Sequence, residues 1–136
     1  MGDRLKVLRE EFTGGYATEE ECADAIDYLF GEYGYLVDPH TAVGYAVGSA
    51  YCDEGNMIFV STASPVKFAS AVLNAIGEEA PSGDEKALKK LEDVTAFEVP
   101  ESVKALFGMK ERFTDVIDAS DVGAEIEKFA RQLSKS

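Results

Sequence analysis

The sequence predicts an α/β domain built mostly of helices around one to three short strands. Helix-start signals stand at Thr18, at Asp38-Pro39 and at Ser64-Pro65. Behind them apolar residues recur at helical spacing. Between the second and third, Met57-Ile58-Phe59-Val60 runs unbroken into Ser61-Thr62, the pattern of a strand buried on both faces, as in a parallel sheet. With 136 residues, 46% of them apolar, one domain with one core is the expectation.

Each element has its own local reason. Residues 4–12 make a short, weakly amphipathic lead-in, broken by Gly14-Gly15. Thr18-Glu19-Glu20-Glu21 then reads as a capping box, with Thr18 as N-cap and Glu21 reaching back. The following helix carries Cys22, Ala25, Ile26, Leu29, Phe30 and Tyr33 on one face, crowds its acids into the first turns, and ends near Gly31 and Gly34. Asp38 caps a second helix, whose first position suits Pro39 because no N–H is needed there. Its body, Thr41 to about Tyr51, holds small residues including Ala42, Gly44, Ala46 and Gly48. A helical glycine costs about 1 kcal/mol relative to alanine, so two of them imply that another backbone or a ligand comes close.

Asp53-Glu54-Gly55-Asn56 is a turn, and Met57–Thr62 the strand. Ser64-Pro65 opens a third helix with the stripe Phe68, Ala69, Val72, Leu73 and Ile76, stopped by Gly77. Past the polar linker Ala80–Asp84 come a helix near Asp84–Glu92, a strand-like Thr95–Val99 and a short helix from Pro100 to Phe107. Phe113–Ile117 reads as a further strand, and Asp118 or Ser120 caps a last helix to about Leu133.

Charge narrows the partners. Thirteen Lys and Arg face 26 Asp and Glu, a formal net charge of −13, and no Lys or Arg lies between Arg9 and Lys67. A phosphate backbone or an anionic membrane needs a basic surface, so neither nucleic acid nor membrane is an expected partner. No apolar window approaches the roughly 18 residues of a membrane span. Met1–Leu5 lacks the basic-then-apolar pattern of a secretion signal, which makes the cytoplasm the expected location. Cys22 and Cys52 form no metal-ligand or disulfide pattern and read as small buried hydrophobes.

Two helix starts carry the residues most able to do chemistry. His40, the only histidine, stands in the first turn of the second helix. Residue type alone favours a histidine hydrogen-bonded locally near the cap over a functional one. Lys67, third in its helix, opposes the macrodipole by about 0.3–1 kcal/mol. Either something negative lies nearby, or the lysine reaches solvent or one of the many acids. Ser61 and Thr62 lie at the carboxyl end of the expected strand, where open parallel sheets bind ligands, and Ser64 reads as a cap. No glycine-rich phosphate loop is present, and no metal site is expected.

Asp38-Pro39-His40-Thr41-Ala42-Val43-Gly44, followed by Ser61-Thr62-Ala63-Ser64-Pro65-Val66-Lys67-Phe68, resembles the C-terminal part of threonine synthases. The motifs fall in residues 1–80, a helix–helix–strand–helix segment, and 81–136 is a variable C-terminal tail with helices. The resemblance implies the C-terminal part of a fold type II large domain, in a family that uses pyridoxal 5′-phosphate (PLP) as electron sink. It implies part of an enzyme, a carbon–oxygen lyase acting on phosphate in threonine biosynthesis, that turns O-phospho-L-homoserine and water into L-threonine and phosphate. It gives Thr62 as the hydroxyl that meets the pyridine nitrogen, and His40, Lys67 and Ser61 as residues lining the active site. Ser64 stands where many relatives have histidine.

The Schiff-base lysine motif and the cofactor-phosphate loop of that family are absent from the chain, and Lys67 in Val66-Lys67-Phe68 is not that lysine. The resemblance therefore implies a C-terminal fragment that holds no catalytic residue, does not retain PLP alone and is inactive alone, since one hydrogen bond supplies only about 0.5–1.5 kcal/mol. Apolar surface meant for upstream strands would then be open to self-association. The alternative is a stand-alone acidic α/β module, derived from the enzyme, that binds a partner without catalysis.

Overall fold

The computed structural model describes residues 2–133; Met1 and 134–136, the outer ends of the two segments expected from the sequence, lie outside the described residues. Seven helices follow one another: α1 (Gly2–Glu11), α2 (Glu19–Tyr33), α3 (Pro39–Gly48), α4 (Ala69–Ala75), α5 (Asp84–Thr95), α6 (Glu101–Lys104) and α7 (Val122–Leu133). Tight 3-10 turns extend several of them: Ser49–Glu54 after α3, Pro65–Phe68 before α4, Ala105–Gly108 after α6 and Ala119–Asp121 before α7.

The helix starts follow local chemistry. Thr18 N–H donates to Glu21 Oε2 at 2.7 Å while Glu21 N–H donates to Thr18 Oγ1 at 3.2 Å, closing the expected capping box. The backbone hydrogen bond from Thr18 is the first cause holding the Glu21 carboxyl below its ordinary pKa. Asp38 caps α3 with Pro39 inside the first turn, and Ser64 Oγ accepts from Val66 N–H at 3.4 Å ahead of α4. Gly34 ends α2 in the left-handed region, at φ 64°, which glycine enters without a Cβ penalty.

The core lies where α2, α3, α4 and α5 meet. Cys22, Ala25 and Ile26 of α2, Leu36 and Val37 of the connector, Ala42 of α3, Val72 and Leu73 of α4, and Leu88 and Leu91 of α5 are all buried. A fully buried leucine or isoleucine side chain contributes about 1.5–3 kcal/mol relative to exposure. Cys22 is buried as expected, its Sγ 3.3 Å from the Pro39 carbonyl, but Cys52 is exposed. Tyr33, expected on the buried face of α2, also stands out in solvent. Glu92 ties the end of α5 down by accepting from Val99 N–H and pairing with Lys104 Nζ, both at 2.9 Å.

No strand forms among the described residues, so the expected α/β architecture gives way to a helical one. A strand needs a second segment to pair its N–H and C=O groups, and Met57–Thr62 meets none. Ile58 and Val60 are 85% and 75% exposed rather than buried on two faces. At Thr95–Val99, α5 runs on through Thr95, whose Oγ1 donates to the Leu91 carbonyl at 2.6 Å. Ala96 then turns left-handed, at φ 54°. Phe113–Ile117 is irregular, with Val116 95% exposed.

Candidate functional site

Two of the site residues read from the sequence, His40 directly and Ser61 through Thr41, are tied to one carboxylate, the Asp38 cap. Asp38 is fully buried. Its Oδ1 accepts from His40 N–H at 2.9 Å and lies 3.1 Å from His40 Nδ1, and its Oδ2 accepts from the Thr41 hydroxyl. Burial acts to raise the Asp38 pKa, but the hydrogen bonds from Thr41 and His40 outweigh it and hold the carboxyl below its ordinary value. Asp38 is therefore an ionised, fully engaged anchor.

The anchor reaches the expected strand through one hydroxyl. Thr41 Oγ1 lies 3.2 Å from Ser61 Oγ, twenty residues on. With the Thr41 proton given to the carboxylate, the Ser61 hydroxyl donates either back to Thr41 or to the Ala63 carbonyl, 3.2 Å away. Ser61 is thus tied to α3, and Thr62 follows it on the exposed side of the segment.

Phe68 connects the other two candidates. The His40 ring lies 4.9 Å from the Phe68 ring, and Lys67 Nζ stands 5.6 Å from the same ring centre. The aromatic face, rather than a carboxylate, is the partner of the lysine among the described residues, a contact worth about 0.5–1 kcal/mol at an exposed site. The His40 side chain is 66% exposed, with Nδ1 held toward Asp38.

The 61–68 loop separates two depressions, and Ser64 lines both. One, of about 390 Å³, is lined by Ser61, Ala63 and Ser64 with Phe30, Tyr35 and Phe97. The other, of about 630 Å³, is lined by Ser64, Lys67 and Phe68 with Leu88, Leu106 and Phe107. His40, Thr41, Ser61, Lys67 and Phe68 are thus linked through contacts, whereas Thr62, next to Ser61 in the chain, makes no side-chain hydrogen bond among the described residues. Asp38, Thr41 and Phe68 are the members that sequence reasoning did not single out. An Asp N-cap with a Thr three positions later could have drawn attention to the first two, but nothing local signals the bond to Ser61.

The small residues of α3 divide in role. A Cβ on Gly48 would come within 2.6 Å of Phe59 Cε1, so the close approach expected there is made by a ring of this same chain. A Cβ on Gly44 would meet nothing within 4 Å.

A PLP ring needs an enclosure, an amine and a phosphate cradle, and the described residues offer an exposed hydroxyl at Thr62 beside a lysine laid on Phe68. Those residues do not on their own fit the cofactor. Among the described residues no three His, Cys, Asp or Glu side chains cluster as metal ligands, and no helix is long and apolar enough to cross a membrane.

Comparison with known proteins agrees with the motifs. The family model described as threonine synthase, C-terminal, matches residues 41–129. Threonine synthase of Corynebacterium glutamicum is 39% identical over 77 residues, 55% of this chain and 16% of that protein. Threonine synthase of Saccharomyces cerevisiae is 30% identical over 140 residues, 96% of this chain and 25% of that protein. Threonine synthase-like 1 of Mus musculus is 36% identical over 74 residues, 54% of this chain and 10% of that protein. The chain thus spans between about a tenth and a quarter of the length of these relatives. With the motif residues assembled around Asp38 and the family match running from α3 into α7, the chain belongs to the threonine synthase C-terminal family.

Proposed function

We propose that this chain serves as the C-terminal part of a PLP-dependent threonine synthase, which converts O-phospho-L-homoserine and water into L-threonine and phosphate. In that reading Thr62 meets the pyridine nitrogen of the cofactor, and Ser61, His40 and Lys67 line the cleft beside it. The observation that supports this is the tether from buried Asp38 through Thr41 to Ser61, the neighbour of Thr62, in an exposed segment whose Ser61, Ala63 and Ser64 line one depression and whose Ser64 also lines a second. PLP, when bound, stabilises negative charge beside the substrate's α carbon. The amine and the phosphate cradle come from residues outside this chain. This chain positions a hydroxyl, which, unlike a carboxylate, does not keep the ring nitrogen protonated. The exposed 57–62 segment is the edge that a fold type II sheet would cover, and in isolation it is also a surface for self-association.

The test is a chimera in which this chain replaces the matching C-terminal segment of the Corynebacterium glutamicum enzyme. Phosphate release from O-phospho-L-homoserine is expected, falling about tenfold in Thr62→Val and recovering in Thr62→Ser. A folded, PLP-loaded chimera indifferent to Thr62→Val contradicts the assignment. The isolated chain, treated with PLP and borohydride, is expected to give only scattered labelling of surface lysines; a stoichiometric pyridoxyl group on a single lysine overturns it. A second reading, a stand-alone acidic binding module, draws support from the closed α2–α5 core. Among the described residues no buried side-chain polar atom lacks a partner. A chimera that folds without activity favours that reading.

A further inference from the structure

Away from the Asp38 cluster, α2 and α3 present a row of rings. Tyr28 stacks on Tyr45, with centres 6.2 Å apart and planes 24° from parallel. Tyr33 and Tyr28 meet nearly perpendicular, with centres 5.9 Å apart, and Phe59 lies 5.2 Å from Tyr45. Beside the row lies a groove of about 350 Å³ lined by Tyr16, Tyr28, Tyr45, Glu21, Asp24 and Ser49. The tyrosine faces carry the negative side of the ring quadrupole. Tyr28 is protonated at neutral pH like any tyrosine, and its hydrogen bond with Tyr33 above all pushes its pKa up to about 12.

The two carboxylates complete the chemistry. Glu21 commits Oε2 to the Thr18 cap, leaving Oε1 outside it. Asp24 is exposed and has no cation beside it among the described residues. With no Lys or Arg between Arg9 and Lys67, neither α2 nor α3, which carry the stacked rings and the two carboxylates, supplies a positive group.

We propose that this groove docks an arginine side chain presented by a partner polypeptide, its guanidinium set against the Tyr28 and Tyr45 rings and paired with Asp24 and Glu21. Charge complementarity selects the occupant, and a second copy of a chain with net charge −13 is disfavoured at this acidic groove, as distinct from the apolar 57–62 segment. A guanidinium fits better than an ammonium because it is planar, stacks on aromatic faces, is weakly hydrated and offers a fork of donors to carboxylates.

The experiment titrates the whole chain with the peptide acetyl-Gly-Gly-Arg-Gly-Gly-amide while the tyrosine ring resonances are followed by NMR. Lysine and citrulline versions of the peptide and free arginine serve as controls. Saturable shifts are expected at Tyr16, Tyr28 and Tyr45, about threefold weaker with lysine and lost with citrulline. Tyr16→Ala and Asp24→Asn should each weaken binding about threefold or more. Tyr16 is 88% exposed, so its removal leaves the core intact. Shifts spread evenly over the acids of α2 and indifferent to Tyr16→Ala would reduce the effect to diffuse attraction and overturn the proposal. Free arginine binding as well as the peptide would make the groove a small-molecule site, and the same shifts on concentrating the chain alone would make the occupant a second copy. Either result also overturns it.

Discussion

In α2 to α5, Ile26, Leu73 and Leu91 vanish from solvent, whereas Ile58 and Val60 on the 57–62 segment, equally apolar, stand 85% and 75% exposed. The difference lies in what each backbone needs. A helix closes its own hydrogen bonds and asks only for an apolar face to pack against, which α2, α3, α4 and α5 give one another. An extended segment must find both a backbone partner and two covering layers, and nothing within the described residues offers them. Apolar sequence supplies the tendency to bury; the partner decides whether burial happens. The tail repeats the lesson, since Phe113, Val116, Ile126 and Phe129 are exposed as well.

The contrast is broken most sharply by truncating one apolar residue from each region. Leu73→Ala should destabilise the chain by about 2–5 kcal/mol, because it empties a fully buried site. Ile58→Ala should change stability by no more than about 0.5 kcal/mol. Urea unfolding of the two variants checks the pair, and equal losses would mean that 57–62 is packed after all.

Next in size is the anchor that joins the regions. Asp38→Asn should lower stability by about 1–3 kcal/mol through loss of the charged acceptor in the cap. The pH dependence has a definite sign. The folded pKa of Asp38 lies below its ordinary value, so its stabilising contribution is fully present above the unfolded-chain pKa of about 3.9. It is lost as pH falls through the folded pKa. Thermal unfolding across acid pH should show that loss in the parent, with a shallower slope in Asp38→Asn.

The smallest effect separates two glycines of one helix. Gly44→Ala should stabilise the chain by up to about 1 kcal/mol, since a Cβ there meets nothing within 4 Å. Gly48→Ala gains the same helix propensity but must displace the Phe59 ring, so it should be neutral or destabilising. Comparing their thermal midpoints sharpens the view that Phe59 of the 57–62 segment packs on α3 at Gly48 and not at Gly44.

What the sequence made legible was whatever one segment decides alone. The Thr18–Glu21 box, the Asp38-Pro39 and Ser64-Pro65 starts and the buried faces of α2 and α4 all follow from residues within a few positions of each other. The strands were illegible because a short apolar run records an appetite for burial and not the presence of a neighbour. Thr95–Val99 failed for a local reason as well: the Thr95 hydroxyl and the Glu92 carboxylate satisfy backbone groups that a strand would have paired. At the site, His40, Ser61 and Lys67 were readable as residues. Their linkage was not, because the Thr41–Ser61 contact spans twenty positions and Phe68 looks like ordinary core until its ring is seen between His40 and Lys67.

Amide hydrogen exchange on the isolated chain tests the contrast most directly. Amides at Ile26, Leu73 and Leu91 should exchange slower by orders of magnitude than those at Ile58, Phe59 and Val60, which should exchange at nearly the rate of an unstructured peptide. Protection of residues 58–60 matching that of α2–α5, in chain diluted until it is monomeric, would contradict the account, because it would require those N–H groups to be paired within the chain itself.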